Sequence, residues 1–152
     1  MRILIGAIGR AKKGPELDLY HHYLKRLPWT VTLKEHEAKS SLPTPQRILA
    51  EGEWLLNSCK GYDRIIALDE KGAELTSEGL ARQIATWRDQ SLSSMAFVIG
   101  GADGLAQPLR EQVHLTLSFG RMTWPHMLVR ALLTEQLYRA YTILTNHPYH
   151  RS

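Results

Sequence analysis

The sequence predicts a single α/β domain with helices on both faces of a mostly parallel sheet, and three observations point there. Arg64-Ile-Ile-Ala-Leu68 and Met95-Ala-Phe-Val-Ile99 are apolar runs without alternation, as strands covered on both faces must be. Between the strand-like runs, apolar residues recur at helical spacing. No repeat or composition break divides the 152 residues, so 1–152 reads as one domain. With 43% apolar residues and four Trp, the chain can fill a core without a disulfide or a structural metal.

Taken in order, Ile3 to Ile8 is a buried strand closed by Gly9, and Glu16 to Leu27 is a helix with Leu17, Tyr20, Tyr23, Leu24 and Leu27 on one face. Val31 to Glu37 forms a second strand, and the polar segment Lys39 to Pro43 a loop. Thr44 is placed to cap a helix whose first position is Pro45; Ile48, Leu49, Leu55 and Leu56 supply its apolar face until Lys60-Gly61 ends it. Arg64 to Leu68 is the third strand. Leu80, Ile84 and Trp87 mark a helix capped by Thr76 or Ser77, and Met95 to Ile99 is the fourth strand. Val113 to Phe119 is one further strand. The longest helix begins near Pro125, with Leu128, Leu132, Tyr138 and Tyr141 expected in the core.

Nineteen Lys and Arg against fifteen Asp and Glu give a formal charge of +4, which permits a polyanionic partner without demonstrating one. The excess lies at the two ends: residues 1–60 carry ten bases against six acids and 110–152 five against two, while 61–109 are net acidic. Beyond Lys71 every basic residue is an arginine, the side chain suited to bidentate phosphate contacts. The start lacks a secretory signal and no apolar run approaches the roughly eighteen residues of a membrane span, so a cytoplasmic protein is expected. A lone Cys59 reads as a quiet thiol.

In a parallel sheet, ligands gather outside the C-terminal strand ends, which directs attention to Leu68-Asp69, Gly100-Gly101 and the turn after Phe119. Gly100-Gly101-Ala102-Asp103-Gly104 is either a cofactor loop or a tight turn feeding the next helix; it lacks both the dinucleotide fingerprint and a P-loop. Phe119-Gly120-Arg121-Met122-Thr123-Trp124 mixes apolar side chains with main-chain donors, either as a pocket for an adenine or a thioether does or with Met122 and Trp124 simply packing in the core. Seven His and one Cys show no zinc spacing, and no nucleophile elbow is present. His126, His147 and His150 either meet phosphate or decorate the surface, and Glu135 with Arg139 reads first as a helical ion pair.

Four segments in order, the GGxxG turn, LSFGRMTWPH from Leu117, RALLTEQLYRAY from Arg130 and the ending NHPYHRS, resemble the bacterial ribosomal RNA large subunit methyltransferase H family over essentially the whole chain. The resemblance implies a SPOUT-type fold with a deep C-terminal trefoil knot over approximately 68–145, where ordinary topology rules alone draw an unknotted sheet. It implies S-adenosyl-L-methionine as cofactor and a homodimer with the active region near the subunit interface. The implied substrate is pseudouridine 1915 in helix 69 of 23S rRNA, methylated at N3 on the assembled 70S ribosome, with neither metal nor membrane involved. Carried to this chain, the cofactor pocket uses Leu68, Gly100, Gly101, Phe119, Gly120, Arg121, Met122, Thr123 and Trp124, with Arg121 facing either cofactor or RNA. His126, Glu135, Arg139, Tyr149 and His150 are the catalytic candidates, no one of them singled out as the base. The rivals are a related knotted methyltransferase acting on another RNA nucleotide and a non-catalytic ribosome-associated factor.

Overall fold

Five strands and five helices alternate along a computed structural model that describes residues 1–151. The elements are β1 (Arg2–Ile8), α1 (Pro15–Leu24), β2 (Thr30–His36), α2 (Thr44–Ser58), β3 (Arg64–Glu74), α3 (Ser77–Asp89), β4 (Ser94–Ile99), α4 (Gln107–Arg110), β5 (Leu115–Ser118) and α5 (His126–Leu144). The strands pair in parallel in the order β2-β1-β4-β3-β5. Ile5 lies between Leu33 of β2 and Phe97 of β4, so β1 is an interior strand; β4, between β1 and β3, is the central one, and every residue of it is buried.

The two-residue period of a strand sends alternate side chains to opposite layers. Ile3, Ile5 and Ala7 of β1, with Met95, Phe97 and Ile99 of β4, pack in one cluster with Tyr20 of α1, Ile84 and Trp87 of α3 and Leu137 of α5. Leu4, Ile8, Ala96 and Val98 pack in the other with Leu55 of α2, Cys59 and Leu109 of α4. Burial there pushes the Cys59 thiol up to about 11, which leaves it protonated and unreactive.

Where the structure departs from the sequence expectation, local contacts give the reason. Thr44 does not cap α2: it is the first helical residue, Pro43 stands before it, and no side-chain bond caps the end. Thr76 does cap α3, accepting from the Gly79 amide at 3.0 Å. On α5, Tyr138 is in the core as expected, but Leu128, Leu132 and Tyr141 are half-buried, and Arg130, Ala131, Leu133, Thr134 and Leu137 are buried instead. This helix packs on α1 and α3 together, so its covered stripe is wide, and the buried Thr134 and Thr142 hydroxyls donate to carbonyls of their own helix.

β3 runs past Leu68 to Glu74, further than its apolar run, with a register shift against β5 between Leu68 and Ala73. Gly72 makes the shift possible, since a Cβ there would sit 2.7 Å from the Thr116 carbonyl carbon and oxygen. The irregularity carries Asp69, Glu70 and Lys71 out to the rim of a cavity.

Candidate active site

A cavity of about 440 Å³ opens at the C-terminal ends of β3, β4 and β5, within the range of small-molecule sites. Its walls are Leu68 to Lys71 from β3, Ile99 to Leu105 after β4, Arg110 of α4, the segment after β5, and His126 and Val129 of α5. Of the nine residues assigned to a cofactor from sequence, eight line it. The ninth, Arg121, does not: its side chain is 94% exposed and its Nε lies 3.7 Å from Glu74 Oε1.

The glycines of the turn are required by the protein's own packing. A Cβ on Gly100 would lie 2.9 Å from the Gly104 carbonyl oxygen, closer than the turn allows. A Cβ on Gly101 would meet Ile8 Cγ2 at 3.1 Å and Glu51 Oε2 at 3.3 Å. The side-chain direction at Gly101 therefore points at β1 and α2, and its backbone is what the cavity sees. Glu51 is buried and makes no hydrogen bond to another described side chain; burial holds its carboxyl above the usual carboxylate range, with Arg47 and His36 opposing and Asp103 adding to the effect.

Side chains pin the loop after β5. The Gly120 amide donates to Ser118 Oγ at 3.1 Å, Thr123 Oγ1 donates to Glu70 Oε2 at 3.1 Å, and Trp124 Nε1 donates to the Phe119 carbonyl at 3.4 Å. Across the cavity wall, Arg110 meets Asp69 at 2.7 Å and also donates to the Leu105 carbonyl, tying β3 to the glycine turn. No spacing along the chain marks this pair; an acid directly after an apolar strand is the one signal for Asp69.

The catalytic candidates fall into two groups. His126 lines the cavity, whereas Glu135 stands nine residues further along α5, about 13 Å on. There Glu135 Oε1 accepts from Arg139 Nε at 3.0 Å, from Arg139 Nη2 at 2.5 Å and from the Tyr149 hydroxyl at 2.9 Å, while Oε2 accepts from Gln136 at 2.7 Å. His150 Nδ1 lies 3.3 Å from Arg139 Nη1, which can only donate, so Nδ1 accepts and Nε2 donates to Glu78 at 2.7 Å. The hydrogen bonds that Arg139 donates to Glu135 raise the Arg139 pKa, and burial, then the bonds around its hydroxyl, raise that of Tyr149. Glu135 is thus engaged on both oxygens and holds Arg139 and Tyr149 in place. Arg26, unmarked in the sequence, stacks its guanidinium over the Tyr138 ring at 4.6 Å and over Tyr149 at 5.2 Å; no local pattern signals a contact between the turn after α1 and the end of the chain. His147 accepts from the Tyr149 amide and shapes the tail turn.

The family model described as "Predicted SPOUT methyltransferase" matches residues 1–150. A protein from Paramagnetospirillum magneticum named ribosomal RNA large subunit methyltransferase H is 53% identical over 151 residues, 99% of each chain. The chain belongs to that family. A second member, from Rhodospirillum centenum, is 50% identical over the full length of both chains. Among solved structures, a probable methyltransferase from Bordetella pertussis superposes with a TM-score of 0.60 at 12% identity, covering 91% of this chain and 95% of the other. A probable methylase family protein from Haemophilus influenzae gives 0.59 at 13% identity, covering 97% and 67%. These two share the fold of the methyltransferase H chain. Among the described residues, no helix is long and apolar enough to cross a membrane, and no three His, Cys, Asp or Glu side chains gather as metal ligands.

Proposed function

We propose that this chain is an S-adenosyl-L-methionine-dependent rRNA methyltransferase that modifies N3 of pseudouridine 1915 in helix 69 of 23S rRNA on the assembled 70S ribosome, in the cytoplasm. One observation carries the reading: Leu68, the Gly100-Gly101 turn and the loop Phe119 to Trp124, distant in sequence, meet in one cavity beside His126 in a member of the methyltransferase H family. The residues fit the cofactor by chemistry and size. Apolar walls from Leu68, Ile99, Leu117 and Val129 suit an adenosine and a thioether, and main-chain groups of the glycine turn and loop suit the polar edges. When bound there, the cofactor supplies a sulfonium methyl group.

This chain's residues then do the positioning on which direct transfer depends. Asp69 and Arg110 hold the turn, and Ser118, Thr123 and Trp124 hold the loop. The N3 proton passes to solvent water, and a cation near the ring favours the anion that remains to take the methyl group; Arg139, oriented by Glu135, serves that end, with Tyr149 and His150 as substrate-side hydrogen-bonding groups. His126 stands beside the methyl donor, a group apart from the tail cluster.

The reading includes a homodimer in which the tail cluster of one protomer completes the cavity of the other, and a trefoil knot over about 68–145. Exposed apolar residues support the dimer: Met122 is 76% exposed beside the cavity, with Leu75, Trp124 and half-buried Leu128 and Leu132 nearby in sequence or structure. The test is transfer of labelled methyl from S-adenosyl-L-methionine to assembled ribosomes lacking the modification, with the product nucleotide mapped. Label at N3 of the pseudouridine is expected; label at another nucleotide assigns a different RNA substrate, and none at all removes the catalytic reading.

A further inference from the structure

We propose that a second cavity, between the β1–α1 loop and the first turn of α5, holds a backbone phosphate of the RNA substrate; this rests on the function proposed above. The cavity measures about 170 Å³ and is lined by Arg10, Lys12 and Lys13 of the loop, Glu16 of α1, and Met127 and Arg130 of α5. Arg130 is 2% exposed. Its Nη1 pairs with Glu35 and its Nη2 donates to the Ile8 and Gly9 carbonyls at 3.1 and 2.7 Å, but its Nε, fully buried, has no acceptor. A buried charged donor without a partner is costly, and an oxyanion supplies the missing acceptor.

The surroundings favour an anion. Arg10, Lys12 and Lys13 are exposed, and none forms an ion pair among the described residues. Two carboxylates oppose them: Glu16 in the wall, and Glu35, whose Oε1 is already occupied by Arg130 and by the Ala11 amide at 2.8 Å. Helix α1, ten residues long, begins at this cavity without a side-chain cap, so its first amides add a partial positive charge.

Location selects RNA as the source of the phosphate. The first turn of α5 is a wall shared by both cavities: His126 and Val129 line the larger one, Met127 and Arg130 the smaller. Both open at the same edge of the sheet, where β1 lies beside β4. A strand with its base at the larger cavity has its backbone beside the smaller. Three flexible cations at the surface, in place of an enclosing cradle, suit a polyanion passing over the edge, where phosphate contacts position a nucleic acid without reading its sequence.

The test is a Lys12→Ala/Lys13→Ala double variant, with Lys60→Ala, an exposed lysine beyond the end of α2, as control. Ribosome affinity is measured across a salt series, together with cofactor affinity and methyl transfer by the wild type. The expected result is a salt slope shallower by about one for each phosphate that the double variant no longer neutralises, with an unchanged slope in the control and unchanged cofactor affinity in both. An unchanged slope in the double variant, or an equal change in the control, overturns the phosphate site while wild-type transfer leaves the enzymatic reading standing. Absence of wild-type transfer to rRNA overturns both. Inorganic phosphate is added to the free protein in parallel: if it shifts the Ala11 to Gly14 amide resonances at micromolar concentration and blocks no ribosome binding, the site serves a free anion and the RNA assignment is wrong.

Discussion

The Tyr149 hydroxyl donates to Glu135 Oε1 at 2.9 Å, fastening the end of the chain to a helix position fourteen residues earlier. The Tyr149 ring lies against the guanidinium groups of Arg26 and Arg139 at 5.2 and 4.8 Å, so the tail is held by a stacked cation from the turn after α1 and by both charges of the α5 ion pair. Tyr149→Phe keeps the stacking and removes only the hydrogen bond. A bond to a charged acceptor is worth about 1.5–3 kcal/mol, which corresponds to roughly a ten- to hundredfold loss in transfer rate if the tail geometry serves the substrate. Single-turnover transfer and calorimetric cofactor binding check this; a parallel loss of cofactor affinity would place the tail at the cofactor instead.

Gly100→Ala is expected to harm cofactor binding more than Gly101→Ala. The added methyl at position 100 meets a backbone carbonyl within its own turn at 2.9 Å, which can move only with the loop, whereas at 101 the neighbours are side chains of Ile8 and Glu51. Titration calorimetry of the two variants ranks them; equal affinities would mean that the turn tolerates displacement.

Glu51→Gln is expected to raise the melting temperature at neutral pH. Burial holds the Glu51 carboxyl above its ordinary value, so the folded state favours the protonated form. The contribution of this group to stability is full below the unfolded carboxylate pKa of about 4.3 and is lost as pH rises through the elevated folded value. The amide carries no such dependence. Melting curves between pH 4 and 8 should therefore converge at the acid end and separate toward neutrality, and curves that stay parallel would contradict the assignment.

Met122→Asp is expected to shift the protein toward monomer in sedimentation equilibrium, because a charge replaces an exposed apolar side chain at the cavity rim; calorimetric cofactor affinity, measured alongside, separates this from a direct effect on the pocket that Met122 also lines. Transfer activity should fall with the dimer fraction and recover in part at higher protein concentration. Melting of the monomer should change little, since so exposed a side chain packs against little of its own chain.

Much of the architecture was legible along the chain because strand and helix periods are local properties. The unbroken apolar runs at Arg64 to Leu68 and Met95 to Ile99 are parallel strands, and Pro125 does stand at the head of the last helix. The face of α5 was not legible: Leu128 and Leu132 are as apolar as Leu133 and Leu137, and only packing against α1 and α3 together distinguishes them. Arg130 shows the same limit in a polar residue. Nothing in the residues around it on the helix marks it as buried, yet its guanidinium is enclosed against Glu35 and the end of β1, a pairing across ninety-five residues.

By itself the sequence determined the fold class, the run of elements and, through the ordered motifs from the GGxxG turn to the NHPYHRS tail, the family and the segments that build the cavity. The tertiary structure decided that the Arg121 side chain lies outside that cavity, that Gly101 turns its missing side chain toward Glu51, and that His126 and the Glu135–Arg139–Tyr149–His150 cluster occupy different places within the chain. The reason is physical: residue type and spacing specify hydrogen bonding and periodicity within an element, whereas the direction of a side chain and the neighbours it meets depend on how distant elements pack around it.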